Sequence, residues 1–584
     1  MKPALPITHH AILRAIVERA RWKSSFVADA AVFAGVLAVL YAILLSGRVW
    51  FAPFTPVAQI STNPWVLPLY AAYSLVRIGA AYILALLFAL AYGFAAAKSE
   101  RAARVLLPLL DILQSIPVLS FLPGVMMAMV ALFPGRQLGL ELGSVLLIFT
   151  GQAWNIAFSF YASLKAIPRE LDEAARLYRF SAWQRFVELE LPYAAIGLVW
   201  NSMMSVAGGW FFLMACEMFV LGSRDFRLPG LGSYLQTAAN AGDTRAIFWG
   251  LMTMIGVIIL TDQMVWRPVI AWAEKFKLEQ VGSAEIPRSP ILNLLRSSKL
   301  LPFVTRSLIF PLREKLDLHF AKDHETRSLT KGTNRVPRWA LRAVAVVVLA
   351  AIAYAVAKVF SILATMSSAE SRYIVWGAGA TFLRVEAVLL LAALWTVPAG
   401  VAIGLRPKLS AIAQPIAQIA ASVPATALFP IILLMLIRAG GGLGIGSIVL
   451  LLLGTQWYLL FNVIAGATAI PADLKEVCNT YQLTVAERWR RLFLPAIFPY
   501  LITGFVTASG GAWNASIVAE YFHFRGQTIS TTGLGAIISQ ATDGGNYRLL
   551  LAATLMMAVM VVTINRLVWR PLYTLASARF KLEA

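Results

Sequence analysis

Apolar runs of roughly 20 residues, separated by short polar connections, recur along almost the whole chain, each long enough to cross a ~30 Å hydrocarbon core as a helix. They fall near 26–46, 70–97, 105–132, 143–163, 195–221 and 246–266, and again near 340–362, 379–405, 412–437, 446–467, 498–521 and 548–568. None alternates with the period of two that barrel strands would show. The pattern therefore predicts an all-α polytopic membrane protein with about 12 transmembrane helices. Two stretches break it. EAARLYRFSAWQRFVELELP (173–192) and EVCNTYQLTVAERWRRLFLP (476–495) are charged and helix-like, yet each lies between two apolar runs.

These interruptions belong to a repeat. W-R-P at 266–268 returns at 569–571, G-L-G at 230–232 returns at 533–535, and F-K-L-E at 276–279 returns at 580–583. Gly208 and Trp210 reappear as Gly511 and Trp513, Glu217 as Glu520, Pro117 and Pro123 as Pro424 and Pro430, and Arg77 as Arg384. The shift is 303 residues over most of the chain (266 to 569) and 307 in the earlier spans (77 to 384). Six spans return the chain to its starting side, so the halves are parallel six-helix repeats related by a pseudo-twofold along the membrane normal. The organisation expected is a segment 1–25, a first half 26–272, a linker 273–338 and a second half 339–584.

Inside each interruption the pattern is amphipathic. Leu171, Ala174, Ala175 and Tyr178 form one stripe behind Pro168, and Leu474, Val477, Cys478 and Tyr481 form its counterpart behind Pro471. Ser181 with Gln184, and Thr484 with Glu487, have capping-box spacing and start a second short helix. Leu191–Pro192 and Leu494–Pro495 lead into the next span. A single copy would read as a connector lying on the membrane. Two matched copies predict a duplicated docking surface.

Composition agrees with the membrane assignment: of 584 residues, 59% are hydrophobic and 14% charged, whereas a soluble domain is about half apolar and about a quarter charged. The net charge of +21 does not call for nucleic acid, because the basic residues cluster in alternate connections. Arg14, Arg19, Arg21 and Lys23 precede the first span, Lys98, Arg101 and Arg104 follow the second, and many more lie between Lys275 and Arg338. By the positive-inside bias both termini and the linker face the cytoplasm, and the linker is either an interfacial helix or a solvated tether. The first span lacks a small-residue cleavage site and is read as uncleaved. Cys216 and Cys478 define neither a disulfide framework nor a metal site.

Few residues carry candidate chemistry. No G-x-x-x-x-G-K-[ST] loop is present, and AGGGLGIG at 439–446 lacks the following lysine. No catalytic cluster stands out, so the chain is read as a non-enzyme. Gln114, Gln152, Asn155, Asn201 and Asn514 either meet a polar solute or, the commoner role, hydrogen-bond between helices. Arg77 with Glu217, and Arg384 with Glu520, are expected toward the outer leaflet, facing the bundle at the entrance to a translocation path. Otherwise the arginines snorkel to headgroups.

The E-A-A of Glu173, Ala174 and Ala175, followed by Leu191 and Pro192, resembles the EAA loop of ABC importer permeases. In the second half Glu476, Leu494 and Pro495 match, while Val477 and Cys478 replace the alanines; both halves lack the motif's glycine, having Arg179 and Gln482. The paired prolines of the third span and the G-L-G are similar to the nitrate/sulfonate/taurine branch. The resemblance covers about 73–272 and 380–573 and implies the type I ABC importer transmembrane fold, two permease units fused in one chain. It implies a coupling role for Glu173, Ala174, Ala175, Tyr178, Leu191, Pro192, Glu476, Val477, Cys478, Tyr481, Leu494 and Pro495. It further implies two ATP-binding-cassette partners that hold ATP-Mg while this chain holds no cofactor, a solute-binding protein, and a bacterial inner membrane location. The cargo implied is a small anion (nitrate, a sulfonate such as taurine, or bicarbonate) or a pyrimidine precursor. The competing reading is a secondary transporter driven by an ion gradient, but Glu217 and Glu520 lie near span ends rather than at the midplane where a coupling carboxylate is usual.

Overall fold

The structure, a computed structural model, describes residues 9–53, 59–221, 224–276, 290–312, 314–315, 338–438, 440, 442–524 and 527–579. Among these, nine helices are long and apolar enough to cross a bilayer, or eleven if each of two bent pairs is one span. The expected span 340–362 is the helix Arg338–Leu363, but its qualifying apolar stretch, Leu349–Leu363, is shorter than a full crossing. Twelve is therefore one more than the described helices support by length and composition.

The halves repeat one another element by element. In the first, Leu67–Lys98, Leu138–Lys165 and Leu191–Glu217 pack side by side; in the second, Ser368–Gly404, Leu443–Thr468 and Leu494–Ala519 do the same. Helices in lipid gain little from hiding apolar surface from one another, so close backbone approach at small residues holds them. A Cβ on Gly93 would lie 2.9 Å from the Phe160 ring, and one on the equivalent Gly400 would lie 2.7 Å from Val463 Cγ1.

The third span of each half is broken rather than continuous. Helix Glu100–Ser115 meets Val118–Leu132 at 81°, and Pro407–Ser422 meets Ala425–Leu433 at 78°. Proline excludes its predecessor from helical geometry. Accordingly Ile116, before Pro117, has ψ 123°, and Val423, before Pro424, has ψ 117°.

After the fifth helix each half forms a two-stranded hairpin, Val220–Leu221 with Arg224–Asp225 and Tyr521–Phe524 with Gln527–Ser530. The G-L-G glycines then open the helices Leu231–Ala241 and Leu534–Asp543. Spans Thr244–Thr261 and Tyr547–Ile564 follow, each running into a π-helical turn, Asp262–Trp266 and Asn565–Trp569. One hydrophobic core runs through both halves, with Trp210 and Leu213 of the first and Trp513 and Leu389 of the second in the same cluster.

Helix His9–Trp50 carries the first span and continues back through 9–25, within the expected N-terminal segment 1–25. Of the linker, 277–289, 313 and 316–337 lie outside the described residues. Helix Pro290–Ser297 lies beside the first helix, and helix Leu300–Val304 follows it. Asp29 accepts bonds from Ser298 Oγ at 2.6 Å and from the Lys299 and Leu300 N–H groups at 2.8 and 3.1 Å. This part of the linker is docked to the first helix.

Candidate functional site

The duplicated surface turns have one architecture. Helix Arg169–Leu177 and helix Ala472–Thr480 each follow a proline and end in a left-handed residue, Arg179 with φ 53° and Gln482 with φ 48°. Among the described residues these are the two non-glycine positions with positive φ. The Phe180 N–H donates to Ala175 O and the Arg179 N–H to Arg176 O, both at 3.0 Å. In the second half Leu483 N–H to Cys478 O and Gln482 N–H to Asn479 O repeat this pairing at 3.0 Å. This is the Schellman closure, which normally uses glycine. The turn is kept although the glycine is not, at the cost of local strain.

Both capping boxes form: Ser181 with Gln184, and Thr484 with Glu487. The stripe divides as it leaves the helix. Ala175 and Cys478 are buried against the transmembrane body, whereas Tyr178 and Tyr481 are 79% and 75% exposed. Each turn therefore offers one tyrosine outward, with Leu177 or Val477 exposed beside it. Glu173 and Glu476 are exposed, Ala174 is half-buried, Leu191 and Pro192 sit half-buried at the start of the fifth span, and Leu494 is partly exposed. Pro495 occupies the first turn of its span.

What anchors the turns differs between halves. In the first, Asp172 pairs with Arg176 (2.7 Å) and with Arg185, and Arg185 reaches Glu190 at 2.8 Å. Glu190, 1% exposed, also takes Lys98 from the end of the second span. The repeat equivalents of Lys98 and Glu190 are Leu405 and Phe493, which pack into apolar clusters around Val401 and Ile470. An ion pair in one half is replaced by hydrocarbon in the other.

At the opposite end of the fifth helix lie the Arg/Glu pairs. The helix Leu191–Glu217 has 27 residues, roughly 40 Å at ~1.5 Å per residue. Arg77 is fully buried and donates to Glu141 through Nε (2.6 Å) and Nη2 (2.8 Å), and to Glu217 (2.7 Å) and Pro229 O (2.8 Å) through Nη1. Glu217 also accepts from Ser74 Oγ and from the Gly232 N–H, each at 2.7 Å. A Cβ on Gly230 would lie 2.2 Å from Glu217 Oε1, so the G-L-G glycines exist to let backbone close on a carboxylate. In the second half Arg384 pairs with Glu520, which accepts from Thr381 Oγ1 at 2.8 Å and the Gly535 N–H at 2.8 Å. Gly444 stands where the first half has Glu141, leaving Arg384 one carboxylate fewer. Arg77 and Glu217 thus do touch, but as a buried clamp between spans, away from the walls of the cavities described next and not snorkelling.

Several cavities lie between described residues of the two halves, three of which carry the polar residues of interest. A cavity of 520 Å³ at the hairpin end is lined by Asp225, Arg227, Tyr521 and Asp543 among others. Arg227 Nη2 is 2.6 Å from Asp225 Oδ2, and Tyr521 donates to Asp543 at 2.6 Å. Burial, with Asp543 beside it, pushes the Tyr521 hydroxyl well above the ordinary tyrosine range, so it stays a donor. Deeper, a cavity of 190 Å³ is lined by Gln114, Asn155 and Asn514, and one of 170 Å³ by Tyr458, Gln418 and Asp262. The last two are pseudo-twofold counterparts, with Gly151, Trp154 and Trp569 on one answering Gly454, Trp457 and Trp266 on the other.

Of the polar residues singled out from sequence, Gln114, Asn155 and Asn514 reach a cavity wall. Asn201 instead bonds Ser159 Oγ and Gly197 O, both at 3.0 Å. Gln152 is fully buried with neither amide atom partnered. Sequence reasoning missed Glu141, Asn565 and Trp569. Glu141 was visible as a lone carboxylate opening an apolar run, and Trp569 as part of the repeated W-R-P.

The model of the binding-protein-dependent transport system inner membrane component matches residues 78–263 and 396–570, and the chain belongs to that family. It is similar to the nitrate import permease protein NrtB of Leptolyngbya laminosa, at 26% identity over 193 residues (33% of this chain, 66% of the relative). It is also similar to the bicarbonate transport system permease protein CmpB of Synechocystis sp., at 30% over 145 residues (25% and 50%). The putative aliphatic sulfonates transport permease protein SsuC of Bacillus subtilis is 24% identical over 207 residues (35% and 70%). These alignments span 50–70% of each relative and 25–35% of the present chain.

Proposed function

We propose that this chain is the transmembrane permease of an ATP-driven importer, with both halves of the pathway fused in one polypeptide. The observation that carries the reading is the pair of surface turns, each closed by a left-handed residue and each offering one exposed tyrosine. A rigid turn fixed to the transmembrane body converts movement of a bound partner into movement of helices. On this reading each turn faces the cytoplasm and seats in one of two ATP-binding-cassette domains, which hold ATP-Mg. Both termini are cytoplasmic, the membrane is a bacterial inner membrane, and a solute-binding protein delivers cargo to the hairpin end. The names of the relatives favour a small oxyanion as cargo. Nucleic acid has no part in it.

The test is uptake into proteoliposomes holding the chain and its ATPase partners, with nitrate, bicarbonate and taurine offered in turn. Uptake should require ATP, persist without ion gradients, and fall at least tenfold in Tyr178→Ala/Tyr481→Ala, the loss expected when aromatic anchors leave an interface. Uptake driven by a sodium or proton gradient without ATP would replace this reading with a secondary transporter.

A further inference from the structure

The duplicated fold makes one cavity stand out. Gln114, Asn155, Asn514 and Asn565 come from four different helical elements and line the same 190 Å³ space between the halves. In a repeat, structural residues tend to recur, as Gly93/Gly400 and Glu217/Glu520 do. None of these four recurs. The equivalent positions are Ala421, Tyr458, Phe211 and Asp262. Four carboxamides line this cavity and none of them is kept at its repeat position; the counterpart carries two carboxamides of its own, Gln414 and Gln418, at other positions.

The remaining wall explains what they could hold. Trp154 and Trp569 line the same space, and no Lys, Arg, His, Asp or Glu is among its described lining residues. The Trp569 indole N–H, on a side chain more than nine-tenths buried, has no hydrogen-bond partner. An indole nitrogen only donates, so its missing partner is an acceptor. Asn155 is exposed to the cavity, and the amide of Asn514 spans the halves, accepting from the Leu119 N–H at 3.4 Å and donating to Gly510 O at 3.1 Å. On the opposite side Asp262, held by Arg267 at 3.1 Å, lines the counterpart cavity and presents a carboxylate.

We propose that this amide-lined cavity is the single resting site of the cargo within the membrane, and that it takes a small oxyanion through neutral N–H donors. The proposal rests on the permease reading above and adds where the cargo pauses, on which side, and by what chemistry. Hydrogen bonds to an ionised acceptor are about twice as strong as neutral ones, so amide and indole donors can replace part of a hydration shell without a fixed cation. Conduction requires a site that can be left as well as entered, and neutral donors meet that requirement. The counterpart cavity has at position 262 an arginine-paired carboxylate that offers no N–H donor, where this one has the Asn565 amide, which makes the path one-sided.

The experiment uses the full chain in nanodiscs, with no ATPase or binding protein, titrated with ¹⁵N-nitrate, ¹³C-bicarbonate and ¹³C-methanesulfonate while NMR line broadening of each anion is followed. At least one of the three should broaden saturably. Trp569→Phe and Asn155→Leu should each raise its half-saturation concentration about tenfold, the loss expected for one donor to a charged group, while Gln414→Leu in the counterpart cavity should leave it unchanged. Broadening of none of the anions overturns the proposal, as does equal loss in the Gln414 variant. Because no ATP is present, the permease reading stands or falls separately on the uptake assay.

Discussion

Lys98 and Glu190 offer a test in which the protein supplies its own control. Glu190 is 1% exposed and sits between two cations, Lys98 and Arg185 at 2.8 Å, while the Lys98 side chain is 37% exposed. Replacing Lys98 by leucine removes one of two cations from a buried carboxylate. Because Lys98 reaches water, the loss should be about 1–2 kcal/mol and not the ~3–5 kcal/mol of a fully buried broken pair. Replacing Glu190 by phenylalanine alone strands Lys98 against an apolar wall, though its ammonium can turn to solvent, and Arg185 keeps Asp172; the expected loss is again about 1–2 kcal/mol. The double change reproduces the second half's Leu405 and Phe493, which pack into apolar clusters. Burying hydrocarbon in place of an ion pair is commonly near neutral, so the double variant should lie within about 1 kcal/mol of the parent. The assay is a double-mutant cycle on reversible unfolding of the purified chain in mixed micelles, with a coupling energy of at least ~1 kcal/mol expected. Additive losses would refute the idea that the two halves hold the same turn by interchangeable means.

Two further outcomes follow from the same geometry. Arg179→Gly and Gln482→Gly should each leave the turn intact and raise stability by up to about 1 kcal/mol, since relief of ~1–2 kcal/mol of left-handed strain exceeds the entropy glycine adds; a lower melting temperature would contradict the strain argument. Arg77→Gln should cost about 3–5 kcal/mol, because it strands Glu141 and Glu217 together, whereas Arg384→Gln should cost visibly less, there being one carboxylate to strand and the arginine already 11% exposed. Equal losses, read by thermal unfolding in the same lipid, would deny that Glu141 matters.

Much of the fold was legible because membrane insertion writes itself in runs of apolar residues and duplication writes itself as shifted motifs. The turns at 168–192 and 471–495 were found by their stripes and capping residues, which act over one or two helical turns. The left-handed residues were less visible, because arginine and glutamine give no local hint of positive φ. The clamp was half legible: Arg77 and Glu217 each stood out in an apolar run, but Glu141 depends on a contact 64 residues away. The break in the third span was announced by Pro117 and Pro424, yet its bends of 81° and 78° are set by packing between the halves. Cavity lining was least legible. Asn201 and Asn155 look alike in sequence, and only the packing of the bundle turns one to Ser159 and the other to the cavity.

The central claim is that one chain presents two equivalent docking turns. It is tested most directly by purifying the complete complex after cysteines are placed at Arg176 and Asn479, then crosslinking and weighing it by native mass spectrometry. The account predicts one copy of this polypeptide with two ATPase domains, and a crosslink from each cysteine to a different ATPase domain. Two copies of the chain for two ATPase domains, or labelling of either cysteine by an impermeant reagent from the hairpin side, would contradict it.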